Sequence, residues 1–246
     1  MNSSASPTAW TVTARNLPEH AGNPIHTDDG ARAAGFPSAL IAGVTTYAYL
    51  THPIVAAWGT RWLAHGGAEV RFRAPVVADR VIECVPTADA DGSVSVAAID
   101  ALDDPNPRAV LRAVPDAGPA TTRRAGEELP PLRVTLDGQF GADYGRRAGD
   151  GLEVYERDGI VHPAVWPALA NRMYSLHLVR GSWIHTRSTI RHHALAQAGA
   201  EVDVRATVVE RFERRGQRAV TDVEIVLDGR PIVTIEHEAI VDLTAI

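Results

Sequence analysis

The stretch His20-Ala21-Gly22-Asn23-Pro24-Ile25-His26 places a proton-exchanging side chain beside a side-chain amide. Histidine titrates at ~6.5 when unperturbed, so His26 can take or give a proton near neutral pH. Asn-Pro pairs initiate turns, and an inward-held Asn23 amide would fix the turn that presents His26 or bind a substrate. The structural alternatives are a plain turn initiator for Asn23-Pro24 and a surface or turn histidine for His26. A second group, His162-Pro163 and His185-x-Arg187, lies in the far half of the chain. Strand alternation would put His185, Arg187, Thr189 and Arg191 on one face, where a guanidinium could pair with phosphate or simply meet water.

The rest of the composition narrows the chemistry. The 246 residues carry a formal charge of −6 and no run of basic residues, which removes the electrostatic basis for binding nucleic acid or an anionic membrane. All 24 basic side chains are arginine, so Schiff-base chemistry and a P-loop lysine are excluded. Cys84 is the only cysteine and sits in an alternating apolar run, as a buried structural thiol would. The histidines show no His-x-x-x-His pair and no cysteine partners, so neither a metal nor any other cofactor is expected. Gly-x-Ser-x-Gly and Gly-x-Gly-x-x-Gly turns are absent from the sequence, which argues against an α/β-hydrolase or a nucleotide-dependent enzyme. The start, from Met1 through Ser3, Ser4 and Pro7, has neither a basic opening nor an apolar signal stretch, and a cytoplasmic location is expected. The apolar window 39–58 is interrupted by Thr45, Thr46, Thr51, His52 and Pro53, which favours a buried helix over a membrane span.

These residues must be held by larger elements. Over 37–50, Leu40, Val44, Tyr47 and Leu50 follow helical spacing, with small or apolar residues on nearly every side, so a helix wrapped by sheet is expected. The pattern then turns to period two, with Val70, Phe72 and Ala74 facing one way and Glu69, Arg71 and Arg73 the other. Strands are expected near 81–85, 94–99 and 109–114. Residues 118–150, with repeated proline and glycine and little periodicity, read as a linker. Beyond it, His162 and Pro163 open a second helical run through Val165, Leu169, Met173 and Leu176, followed by alternating runs over 183–190, 202–208, 221–227 and 232–241. Helix-then-strands thus occurs twice, and we expect an N-terminal module over 1–117 and a C-terminal module over 151–246.

The motif from His20 to His26, followed by Gly35-Phe36-Pro37 and Leu40-Ile41-Ala42-Gly43, resembles the signature of MaoC-like (R)-specific enoyl-thioester hydratases, and Val70-Arg71-Phe72-x-x-Pro75-Val76 is also similar. The resemblance covers roughly residues 19–58. It implies an α+β tandem hot-dog fold, each half an antiparallel sheet wrapped around a central helix. It also implies a lyase acting on an acyl thioester of coenzyme A or a carrier protein, in fatty-acid or polyketide metabolism. In that family an Asp and a His share the proton transfers, and a helix-start N–H polarises the thioester carbonyl. His26 falls on the histidine position and Gly43 can supply the N–H. Ala21 stands where the family has Asp, and Ala42 replaces the histidine of its His-Gly pair. Glu19, His20, Asp28 and Asp29 are the nearest possible substitutes, although Asp28 and Asp29 also suit helix capping near Gly30.

We therefore expect His26, Asn23 and Gly43 to be catalytic and Tyr47, His162, His185 and Arg187 to bind substrate. Losing the Asp favours single-base reactions, isomerisation or intramolecular conjugate addition, over water addition. The alternatives are a non-catalytic acyl-binding or partner subunit, and a hot-dog thioesterase. A homodimer is an admissible assembly.

Overall fold

The computed structural model describes residues 5–103 and 105–243, so Met1 to Ser4 at the chain's opening lie outside the described residues. The first half runs β1 (Trp10–Thr13), two 3-10 turns (Pro18–His20 and Pro24–His26), α1 (Asp28–Ala33), α2 (Gly43–His65), β2 (Gly67–Phe72), β3 (Val81–Ala88), β4 (Val94–Asp100) and β5 (Ala109–Val114). The second runs β6 (Glu127–Glu128), β7 (Leu132–Thr135), a 3-10 turn at Gly138–Phe140, α3 (Tyr144–Ala148), α4 (Val154–Asp158), α5 (Val165–His177), β8 (Ile184–His192), β9 (Glu201–Glu213), β10 (Gln217–Leu227) and β11 (Arg230–Asp242).

One antiparallel sheet contains every strand among the described residues. Its order is β1-β3-β4-β5-β2 in the first half and β8-β11-β10-β9 in the second, with β6 and β7 both on β9. β2 and β8 join the halves, and Glu69 pairs with Thr189 at the middle of that seam. The backbone repeats between residues numbered 120 apart: Ile41 N bonds Val76 O as Val161 N bonds Ala196 O, and Thr45 N bonds Ala42 O as Val165 N bonds His162 O. The expected duplication is therefore geometric even where side chains differ. Val44, Tyr47, Leu50 and Ile54 of α2 are fully buried, as are Leu169, Met173 and Tyr174 of α5, because each long helix lies against its own half's strands and α2 also against β8 across the seam.

Four expectations are corrected. The first helix starts at Gly43, since Leu40 is held in an antiparallel bridge to Val77 and cannot join it. It also continues past Pro53 to His65, with its break at Gly59, whose φ of 62° lies in the left-handed region that glycine tolerates. Leu176 is 53% exposed and leaves the helix's buried stripe. The stretch 118–150 is not a plain linker but holds β6, β7, a 3-10 turn and α3: β7 pairs with β9 as β1 pairs with β3, and Leu136 N to Ala200 O repeats Ala14 N to Arg80 O. Pro130 and Pro131 suggested a linker, but edge strands tolerate proline at their starts. Among the described residues, no helix is long and apolar enough to cross a membrane.

Candidate active site

The loop carrying the motif is clamped from both sides. Pro24 opens a single 3-10 turn, its fixed φ suiting that position, and Leu40 N–H closes onto the Ile25 carbonyl at 3.0 Å. His26 Nδ1 donates to the Leu40 carbonyl at 2.8 Å, which leaves Nε2 as the ring's free nitrogen in the neutral form. Burial lowers the His26 pKa, and the bond to Leu40 only partly offsets this, so the ring is a neutral base at pH 7. Asn23 is 8% exposed, and its Nδ2 donates to the Trp183 carbonyl of the other half at 2.9 Å. That bond fixes the amide's orientation and leaves Oδ1 an acceptor with no protein donor.

Gly43 is the first residue of the 23-residue α2. Thr45 and Thr46 N–H groups bond the Ala42 carbonyl, whereas the first-turn N–H groups of Gly43 and Val44 precede any intrahelical acceptor and carry the positive end of the helix dipole. A Cβ at Gly43 would sit 3.2 Å from His185 Nδ1 and 3.3 Å from Phe72 Cζ, so glycine is what lets the second half approach this helix start so closely.

His26, Asn23, Gly43, His185 and Arg187 all line one cavity of about 940 Å³ formed by both halves. Tyr47 and His162 do not line it. Tyr47 is fully buried in the core, and burial drives its hydroxyl pKa upward. His162 holds a buried network instead: its Nδ1 accepts from Ala164 N–H at 3.0 Å, its Nε2 meets Asp150 at 3.1 Å, and Asp150's other oxygen meets His52 at 2.7 Å. Burial would raise the Asp150 pKa, but the bonds from both histidines outweigh it and keep the carboxyl well below the usual range.

The expected face shared by His185 and Arg187 does not form. A bulge between Glu238 and Ala239 opposes Glu238 to Arg187 and Ala239 to His185, which leaves Thr186 as the extra residue. His185 consequently points inward and joins Ser188, which joins His237, each contact 2.8 Å. Burial lowers the His185 pKa to about 3. Arg187 sits at the cavity mouth and pairs with Glu236 at 2.6 Å.

Of the possible substitutes for the absent Asp, none stands free beside His26. Ala21 faces solvent, Asp28 accepts from Ala39 N–H at 2.9 Å, Asp29 pairs with Arg32, and Glu19 pairs with Arg147. Thr27, rather than either aspartate, caps α1 by accepting from Gly30 N–H at 3.2 Å. Among the described residues, the only carboxylate lining the large cavity is Glu238, which is engaged by Thr186 and Arg218. His20 lies 6.0 Å from His26 between ring centres, bonded to Thr45 Oγ1 at 3.2 Å.

Sequence reasoning missed several cavity residues. Arg73, Arg214 and Arg215 line the mouth and form no ion pair among the described residues. Arg215 and Gly216 occupy the β9–β10 hairpin tip with φ of 50° and 100°, the positive values a tight hairpin needs. The Arg-Arg-Gly sequence was a readable turn signal, but its position over the cavity was not. Asn171 and Trp183, from the second half, complete the wall around Asn23.

One sheet continuous through the β2–β8 seam, with a long helix held in each half, defines a double hot-dog protein, with the fold of the MaoC-like proteins of that architecture. A MaoC-like dehydratase superposes with a TM-score of 0.62 over 97% of this chain and 98% of its own, at 13% identity. A Mycobacterium tuberculosis protein with a double hotdog fold gives 0.66 over 96% of each chain at 12% identity. A chain from Lactobacillus plantarum, provisionally assigned as an oleoyl thioesterase, gives 0.57 over 97% and 98% at 11% identity. No family profile and no curated protein matches the chain in sequence. Likeness at these identities establishes the fold.

Proposed function

We propose that the chain is an acyl-thioester lyase of hydratase/dehydratase type in which His26 is the single base. A β-hydroxyacyl thioester lies in the large cavity with its carbonyl at the Gly43 N–H and its hydroxyl donating to Asn23 Oδ1. His26 Nε2 removes the proton from the α-carbon, and the charge that develops on the carbonyl oxygen is stabilised at the α2 N-terminus. The C–O bond to the β-carbon then breaks, the imidazolium returns the same proton to the departing hydroxyl, and water and an enoyl thioester result. The reverse sequence adds water, and the same base could move a proton between carbons.

The observation that carries this reading is the His26 ring, anchored through Nδ1 with Nε2 free and no unpaired carboxylate beside it among the described cavity residues. The mouth supports a phosphate-bearing thiol arm, of coenzyme A or a carrier protein, because guanidinium groups match phosphate oxygens. Thioester hydrolysis is the competing reading, favoured by the thioesterase names of three fold neighbours. Incubating the protein with crotonyl-CoA and 3-hydroxybutyryl-CoA while following enoyl absorbance and free thiol separates the two. We expect absorbance to change without thiol release; thiol release alone would reject the lyase.

A further inference from the structure

A second cavity of about 220 Å³ lies behind His26 and shares Asn23, His26, Asn171 and Trp183 with the first. Ala42 lines it as well, and this small residue leaves open a position that the second half fills with His162. Its wall is mixed: Phe140, Tyr144 and Trp183 line it together with the polar residues Glu19, His20 and Gln139. Asn23 and Asn171 line both cavities, and the carboxamide oxygen of each is buried without a protein donor. One is Oδ1 of Asn23, whose NH₂ is already committed to Trp183; the other is Oδ1 of Asn171 on α5.

We propose that this smaller pocket receives the distal end of the acyl group, and that the acyl group carries a hydrogen-bond donor there, a hydroxyl rather than a plain alkyl end. The inference rests on the thioester reading of the larger cavity. The arginines at the large cavity's mouth set the orientation: the phosphate end of the substrate stays outside, and the acyl end passes inward beside His26. With Asn23 Oδ1 taken by the β-hydroxyl, the buried Asn171 Oδ1 is left without a donor and disfavours an alkyl tail, whereas a distal hydroxyl satisfies it. A site built to hydrogen-bond a hydroxyl rejects the analogue that lacks it more strongly than an apolar pocket rejects a hydroxyl.

The test is calorimetric binding of two saturated thioesters, pentanoyl-CoA and 5-hydroxypentanoyl-CoA, to the full chain, which needs no turnover. We expect the hydroxylated compound to bind about tenfold more tightly, the effect of one good hydrogen bond. Asn171→Leu should bring the two within about twofold while pentanoyl-CoA binding persists, and Asn171→Asp, which keeps an acceptor, should retain the preference. Equal or tighter binding of pentanoyl-CoA by the unmodified protein would overturn the proposal, with the apolar wall at Phe36, Leu40 and Val76 then holding the tail. A preference that survives Asn171→Leu would also overturn it. Binding of neither compound would sink both this proposal and the thioester reading, whereas selective binding without turnover would remove only the proposed catalysis.

Discussion

Ala42 and His162 occupy the same position in the two halves, just before the first turn of the long helix, and each carbonyl accepts from the N–H three residues on. The alanine leaves a cavity beside it, while the imidazole is buried against Asp150, with the Tyr144 and Tyr155 rings packed on it. One copy of the duplicated site is therefore open and the other is filled by side chains. The filled copy links the halves through Asp150, which also meets His52 of α2.

Removing that carboxylate should unfold the protein more readily without touching the open site. Asp150→Ala leaves two histidines without their acceptor, and such losses cost about 2–4 kcal/mol. Urea denaturation should show this loss, with pentanoyl-CoA affinity unchanged within error. Equal stability would mean the network contributes nothing.

At the mouth, Arg73 and Arg215 are exposed and form no ion pair among the described residues, so each should add modestly to the attraction for phosphate. The double variant Arg73→Gln, Arg215→Gln should raise KM for a coenzyme A thioester about 3- to 10-fold and flatten its dependence on salt. Turnover of the corresponding N-acetylcysteamine thioester, which lacks phosphate, should not change. A matching loss on both substrates would place these arginines elsewhere in the mechanism.

Stability should fall with acidification from pH 6.5. Burial lowers the pKa of His20 and His192 to about 4 and of His185 to about 3, so the folded protein leaves them neutral where the unfolded chain protonates them. Each pH unit below 6.5 then costs up to about 1.4 kcal/mol per group until the folded pKa is reached. The His26 pKa is lowered in the same direction, so kcat/KM should hold level above pH 6.5 and decline only at lower pH. Urea midpoints at pH 7.5 and 5.5 check the first effect, and a flat comparison would contradict it.

Much of this arrangement was legible in the residues. The turn at Asn23-Pro24, the helix through Val44 and Leu50, and the twofold succession of helix and strands follow from local spacing and turn chemistry. What escaped arises from contacts distant in sequence. The bulge at Thr186 is set by pairing with β11, and it alone separates His185 from Arg187. Asn171 reads as an ordinary polar helix position until the first half's loop is laid against it. Residues 132–135 look irregular in isolation and become a strand because β9 offers an edge. The identity of the residue facing each cavity is a product of the seam between β2 and β8.

The most direct test places crotonyl-CoA in D₂O with the unmodified protein and with His26→Ala, and follows deuterium at the α-carbon by NMR. We expect one deuterium to enter as hydration proceeds, and the His26→Ala variant to be slower by roughly 10²- to 10⁴-fold while still binding pentanoyl-CoA. Incorporation by His26→Ala at the unmodified rate would contradict the role given to that imidazole.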